Sequence, residues 1–394
     1  MLSNRQLFLA HQAQTTNFPL LLEVSKADGV YIYDTNGKPH IDFISGISVS
    51  SLGHGNEAVK EAIKKQVDDY MHLMVYGEYV QEPTAQLASK LVSYLPDSLN
   101  TVYFVNSGAE ATDGALKLAK RVTQKSKIVA CKNAYHGSTH AALSLNSNEY
   151  YTQAFRPLLP NIGFIEFNNI ESLSLIDNDT ACVIVETIQG EAGYIIPDIE
   201  FLQALRSKCT EQGCLLIFDE IQAGIGKTGK MFAFEHWHII PDILLLGKAL
   251  GAGMPIGAFV SSQQFMHTLT DNPILGHITT FGGHPVIAAA ALAGLQELER
   301  LDLMSEIETK EALIRQQLVH PKIKQIRGKG LMLAVELNNF DEVLKVCQLC
   351  LQDGLIIDWF LFANNCIRLV PPLIITHEQI EKAISIILSN LNKL

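Results

Sequence analysis

Positive charge is in short supply in this sequence: 30 Lys and Arg stand against 41 Asp and Glu, a formal net charge of −11. Such a chain has no general attraction for phosphate backbones or anionic headgroups, so no nucleic acid and no membrane is expected as a partner. An uninterrupted apolar run long enough to span a bilayer is missing too. The nearest approach, Ile243 to Val260, carries Lys248 mid-span together with Gly247, Gly251, Gly253, Pro255 and Gly257. Met1 to Gln14 hold one Arg and a short apolar run, Leu7 to Ala10, too little for the regions of a secretory signal, so the mature chain is expected to start here. Cysteine is sparse and odd in number. Cys131, Cys182, Cys209, Cys214, Cys347, Cys350 and Cys366 mostly sit inside apolar runs, the pattern of reduced core thiols in a cytoplasmic protein rather than of a disulfide framework. Cys347 and Cys350 have redox or metal spacing, yet they fall in a helical pattern with Val343, Leu344 and Leu351, so packing is their expected role and no metal is expected. Repeats, low-complexity tracts and Pro/Gly/Ser linkers are absent as well, which leaves pattern to mark the boundaries.

What is present is an ordinary folded composition, 394 residues of which 47% are apolar and 18% charged, enough for two or three domains at about 150 residues each. Short apolar runs recur at Val102–Val105, Ile128–Cys131, Ile162–Phe167, Cys182–Val185, Cys214–Phe218, Ile243–Leu246 and Gly257–Val260, most of them separated by helix-length stretches. That rhythm predicts an α/β fold with a mostly parallel seven-stranded sheet buried on both faces. From about residue 300 the character changes to a charged helix (Leu301 to Val319), a second small strand set (Gly330 to Glu336, Cys366 to Val370) and an amphipathic last helix (His377 to Leu391). The expected organisation is an N-terminal segment, 1–50, with a hairpin-like piece from Tyr31 to Phe43 that packs with the small domain. A large domain, 51–299, and a smaller α+β domain, 300–394, follow.

The residues after each run are the informative ones: Asn106-Ser107-Gly108, Lys132-Asn133, Glu186, Asp219-Glu220 and Gly247-Lys248. Ligands of open parallel sheets bind outside the carboxyl ends of the strands, so these groups are expected to converge. A lysine directly after Leu-Leu-Leu-Gly is expensive to bury as an ammonium unless its nitrogen is neutral or covalently used. One reading of Lys248 with Asp219 is a buried structural ion pair. The functional reading is a Schiff base between Lys248 and pyridoxal phosphate, with Asp219 keeping the pyridinium nitrogen protonated so that the ring acts as an electron sink. Asn106 to Ala111 supply a strand end, a small-residue turn and a helix start, where backbone N–H groups and the Ser107 hydroxyl suit a phosphate dianion. Tyr135 is placed to stack on the ring. Gly226-Lys227-Thr228 imitates the end of a phosphate-binding loop, but the first glycine of that motif would have to stand at Ile221, and the spacing fails.

Together these residues resemble the class III, fold-type I aminotransferases that use pyridoxal 5'-phosphate. The motifs run in order: Leu52-Gly53-His54, Asn106 to Ala111, Tyr135-His136-Gly137, Gln189-Gly190-Glu191, Phe218 to Gln222, Gly247 to Gly251, Thr280-Phe281-Gly282-Gly283 and Arg368. The resemblance implies a homodimer with shared sites. In it Ser107, Gly108 and Ala109 bind phosphate, His136 and Glu186 stand at the cofactor, Gln222 meets the ring hydroxyl and Thr280 reaches the phosphate of the partner subunit. Within the class the sequence is most similar to acetylornithine and ornithine aminotransferases. That similarity implies transfer of an ω-amino group to a 2-oxo acid such as 2-oxoglutarate by ping-pong kinetics. Glu191 would pair with Arg368 while an ω-amine donor is bound and swing aside when Arg368 holds an α-carboxylate. Two departures stand out. Relatives typically carry Arg after the aromatic-His-Gly triplet, where this chain has Ser138. Either another basic group such as Arg156 takes over, or the donor lacks a distal carboxylate, as a putrescine-like diamine does, or pyruvate is the acceptor; a 4-aminobutyrate enzyme is a further alternative. Thr187 stands where proline is usual and is expected to alter loop stiffness. A pyridoxal-phosphate mutase or decarboxylase would share the Asp-Lys pair, and the Glu191 and Arg368 pair argues against it.

Overall fold

The computed structural model describes residues 2–76 and 79–394. After a short helix, Asn4–His11, come three short antiparallel strands: β1 (Val24–Asp28), β2 (Tyr31–Asp34) and β3 (Pro39–Asp42). The hairpin of β2 and β3 turns where Asp34 Oδ1 accepts hydrogen bonds from Asn36 N and Lys38 N at 2.8 and 2.9 Å, a local capture of backbone donors that favours a turn. This is the hairpin expected between Tyr31 and Phe43.

The seven apolar runs form the seven strands of one sheet. They are β4 (Thr101–Val105), β5 (Lys127–Cys131), β6 (Ile162–Ile165), β7 (Thr180–Glu186), β8 (Leu215–Asp219), β9 (Ile243–Gly247) and β10 (Gly257–Ser261). Their spatial order is β4-β10-β9-β8-β7-β5-β6, parallel throughout except that β10 runs against both its neighbours. Side chains alternate between two cores, as a period of two requires. Cys182 and Ile184 join Ala111, Ala115, Leu118 and Ala119 of the helix Gly108–Thr123, whereas Val183 and Val185 join Phe201, Leu202 and Leu205 of the helix Ile199–Gln212. Apolar residues on both faces of each central strand therefore record helices on both sides of the sheet.

Beyond the helix Pro285–Arg300, the next helix is shorter than the expected Leu301 to Val319. Residues 301–306 form turns, Asp302 takes φ 47°, and the helix proper is Ile307–Gln317. A left-handed residue interrupts the ladder that periodicity alone would continue. The remaining strands are β11 (Gln325–Lys329), β12 (Met332–Glu336), β13 (Leu355–Ile356), β14 (Asp358–Trp359) and β15 (Cys366–Leu369). Four of them form the antiparallel sheet β11-β12-β15-β14, while β13 joins β3 in parallel and so ties this region to the N-terminal meander. Cys347 and Cys350 are buried in the helix Phe340–Gln352. The last helix, His377–Leu391, starts with a capping box between Thr376 and Gln379.

Candidate active site

Parallel strands end on the same edge, and here that edge collects charge. β7 and β8 pair Glu186 with Asp219 in register, and β9 beside them ends at Gly247, followed by Lys248. Lys248 itself takes φ 43°, an uncommon conformation for a long side chain. At the far side β4 leads into Asn106 and Ser107, where Ser107 Oγ accepts from Glu110 N at 3.2 Å and caps the helix Gly108–Thr123. Glu110 turns its carboxylate back to Asn106 N at 2.8 Å. The amides of Gly108 and Ala109, first in that helix, have no intrahelical acceptor to meet. The turn can sit this low only because β10 begins with glycine: a Cβ on Gly257 would stand 2.0 Å from Ser107 O.

A cavity of about 210 Å³ opens between these ends, lined among others by Gly108, Ala109, Tyr135, His136 and Ser138. Glu186, Glu191, Asp219, Gln222 and Lys248 line it as well. Asp219 is buried with both oxygens engaged. Oδ2 lies 2.7 Å from His136 Nδ1, and Oδ1 accepts from Ile221 N at 2.9 Å. Burial works against a charged His136, but the hydrogen bond and charge of Asp219 outweigh it and raise its pKa. Glu186 accepts from Gly190 N at 3.0 Å and Tyr135 N at 3.3 Å; burial pushes its pKa up to about 7, with the Asp219 charge adding and His136 opposing. Burial likewise lowers the pKa of Lys248, against the pull of Glu191 and Asp219. A buried amine that releases its proton easily is a competent nucleophile and base.

A sequence model of the family described as Aminotransferase class-III matches residues 11–391. The chain belongs to the class-III aminotransferases. It is 40% identical over 376 residues to the acetylornithine aminotransferase of Bacillus subtilis, covering 92% of this chain and 93% of that one. The acetylornithine aminotransferase of Methanocaldococcus jannaschii is 39% identical over 381 residues, 93% of this chain and 92% of its own. Among solved structures, the ornithine aminotransferase of Toxoplasma gondii superposes with a TM-score of 0.91 at 30% identity, covering 100% of this chain and 96% of that chain. The protein is thus an enzyme of the fold-type I architecture, and class-III aminotransferases use pyridoxal phosphate. The cavity fits that group on its own chemistry. It offers an amine, a carboxylate oriented through both oxygens with acceptor capacity to spare, the start of a helix, and two buried polar atoms without partners among the described residues, Gln222 Oε1 and His136 Nε2.

A second corner of the aminotransferase pocket comes from the other sheet. Arg368 lies on β15, almost fully buried, and its Nη2 donates to Glu191 Oε2 at 2.9 Å and to Trp359 O at 2.9 Å. Glu191 Oε2 also accepts from Leu361 N at 3.0 Å. β14 and β15 place Asp358 opposite Arg368, with Oδ1 3.3 Å from Nε. Asp358 escaped the sequence reading, although it is the single charged residue between Leu355 and Phe362, a signal of a buried partner. Ser138 is exposed at the cavity wall with Oγ 3.2 Å from Tyr135 Oη, and Arg156 does not replace the missing arginine: it is on the surface against Glu149. Thr187 N donates to Asp219 O at 3.4 Å, a contact proline cannot make. Thr280 is exposed and stands apart from the cavity lining, and Lys132 pairs outside it with Glu166.

Proposed function

We propose that the enzyme transfers an ω-amino group of an acetylornithine- or ornithine-type donor to a 2-oxo acid, 2-oxoglutarate, by ping-pong kinetics. The observation that carries this reading is the Glu191–Arg368 pair, 2.9 Å long, whose Glu191 lines the pocket with Lys248 and Asp219 and whose Arg368 lies behind it, near enough for its charge to act on Lys248. Pyridoxal phosphate supplies an electron sink for the donor carbon. Lys248 Nζ would hold it, and its amine would move the proton at the donor carbon, a task its lowered pKa suits. Asp219, held by His136 and Ile221 N, would keep the cofactor's ring nitrogen protonated. Ser107, Gly108 and Ala109 would hold its phosphate, and Gln222, Glu186 and Tyr135 would hold its ring. Glu191 would neutralise Arg368 while an ω-amine, which has no carboxylate next to the reacting carbon, is bound, and would yield it to the carboxylate of the 2-oxo acid.

Ser138 favours a second reading at the donor end. Between Tyr135 and Ser138 the wall presents hydroxyls and no cation, which suits a diamine better than a donor with a distal carboxylate. Candidate amines added singly to the loaded enzyme, with the change in its visible absorbance recorded, decide between them. A response to acetylornithine and ornithine supports the first reading, a response to putrescine alone the second, and a response to none removes both.

A homodimer is part of the proposal. Exposed Met71, Leu73, Met74, Ile274, Ile278 and Phe281 cluster in the two segments around Thr280, an apolar surface of the kind a second copy covers, and would bring Thr280 to the partner's phosphate. A monomer by sedimentation would remove it. The division at residues 50 and 299 is proposed on the same footing. Seven buried free cysteines support a reducing, cytoplasmic setting. No helix among the described residues is long and apolar enough to cross a membrane.

A further inference from the structure

Arg368 faces two carboxylates, and only Glu191 belongs to the proposed exchange. Asp358 Oδ1 stands 3.3 Å from Arg368 Nε on the neighbouring strand. The contact is one of charge alone, because neither atom has a hydrogen-bond partner. The guanidinium is oriented by other groups, the Trp359 carbonyl at 2.9 Å from Nη2 and the Phe360 ring, whose centroid is 4.6 Å from Cζ. Arg368 Nη1 is buried and unpartnered, a donor available to an incoming carboxylate.

We propose that Asp358 is a specificity-determining residue, a counter-charge fixed beside Arg368 that weakens its grip on an α-carboxylate. The inference rests on the reading that Arg368 receives that carboxylate. When Glu191 leaves and a substrate carboxylate takes its place, Asp358 stays and repels the newcomer across a few ångströms of partly desolvated space, where like charges interact strongly. Removing Asp358 costs Arg368 little orientation, since Trp359 and Phe360 remain, so the charge effect dominates. The 2-oxo acid and its amino-acid product then exchange readily, and amines without an α-carboxylate are not displaced by them.

The groups around Asp358 set the pH at which the counter-charge appears. Burial pushes its pKa up to about 6, Arg368 pulls it down, and Glu191 and Asp42 push it further up. Tyr194 and Cys347 complete its titratable surroundings. Its side chain keeps 27% of its surface accessible, so protons reach it from solvent. Above about pH 6 the carboxylate is ionised and the grip on an α-carboxylate loosens.

The test is calorimetric binding of 2-oxoglutarate to the holoenzyme in its pyridoxal form, which has no amino group to transfer, so affinity is read without turnover. Asp358→Asn is expected to bind about three- to tenfold more tightly at pH 7.5. Wild-type affinity is expected to weaken from pH 5.5 to 7, and the variant to show no such change. Equal or weaker binding by the variant overturns the inference. Arg368→Gln separates the two layers. If it binds like wild type, the carboxylate site is elsewhere and the underlying reading fails. If it loses binding while Asp358→Asn matches wild type, only the role of Asp358 fails. Should Asp358→Asn not fold, Asp358→Ser and the wild-type pH series decide, and a flat series overturns the proposal.

Discussion

Asp219 at the pocket and Arg368 behind its Glu191 wall carry opposite charges, and the chain holds them in opposite ways. Asp219 ends a central strand of a sheet buried on both faces, and each oxygen has a partner. Arg368 sits on a four-residue strand paired with one of two residues, and its Nε and Nη1 have no hydrogen bond. Leaving a buried donor unpaired is expensive, whereas a saturated carboxylate is not. The contrast teaches what each charge is for. On the proposed function, the group that would keep one proton in place is held through both oxygens, and the group that would change partners is left with donors to spare and with more than one anion in reach.

The strongest way to break this contrast is to remove the fixed charge. Asp219→Asn keeps the shape and the Ile221 contact but cannot hold a pyridinium proton, and turnover is expected to fall by about 10²–10⁴-fold. Single-turnover kinetics with a responsive amine measure it, and a loss below tenfold would show that this corner is not a fixed-charge site. Lys248→Ala should fold and bind the cofactor without attachment. Borohydride fixation and peptide mapping of the wild type should find Lys248, and another lysine, or none, would sink the assignment.

A smaller change sharpens the adjustable corner. Ser138→Arg places a cation where the wall has only hydroxyls. It is expected to improve donors with a distal carboxylate by about 1.5–3 kcal/mol in transition-state binding, the range for a charge-assisted contact, and to impair diamines. Specificity constants on one diamine and one ω-amino acid provide the measure. Equal effects on both would mean that the distal carboxylate is already bound by another group, and the diamine reading would fall.

How much of this was legible in the sequence follows the same division. Buried parallel strands are continuous apolar runs, so β4 to β10 were readable, and a charged residue at the end of such a run is conspicuous, which is why Asp219 and Lys248 stood out. The bond from His136 to Asp219 was not readable. It spans 83 positions and depends on β5 lying next to β7 and β7 next to β8, which local pattern does not encode. Asp358 was missed for a related reason: its strand is two residues long, too short for alternation to appear, and register alone brings it to Arg368. The start of the helix at Ile307 rather than Leu301 turned on one backbone angle at Asp302.

The last and smallest effect concerns what moors the Arg368 corner. Lys227, the lysine of the false phosphate-loop match, is wholly buried, and its Nζ donates to Ser45 Oγ at 3.2 Å and Pro371 O at 3.1 Å. It thus pins the chain three residues beyond Arg368 to the turn after β3. Burial pushes its pKa down to about 7, against the pull of Asp42, whereas in the unfolded chain it titrates near about 10.4. Between those values the unfolded state binds a proton that the folded state does not, so stability rises with pH, by up to about 1.4 kcal/mol per unit from this group. Below about pH 7 both states are protonated and the slope vanishes. Lys227→Met keeps the bulk and loses the titration, so the wild type should gain stability relative to the variant as pH rises from 7 to 9. Urea unfolding of both proteins at pH 7, 8 and 9 reads that difference. Parallel curves would mean that the lysine titrates alike in both states, and the mooring under Arg368 would then not depend on pH.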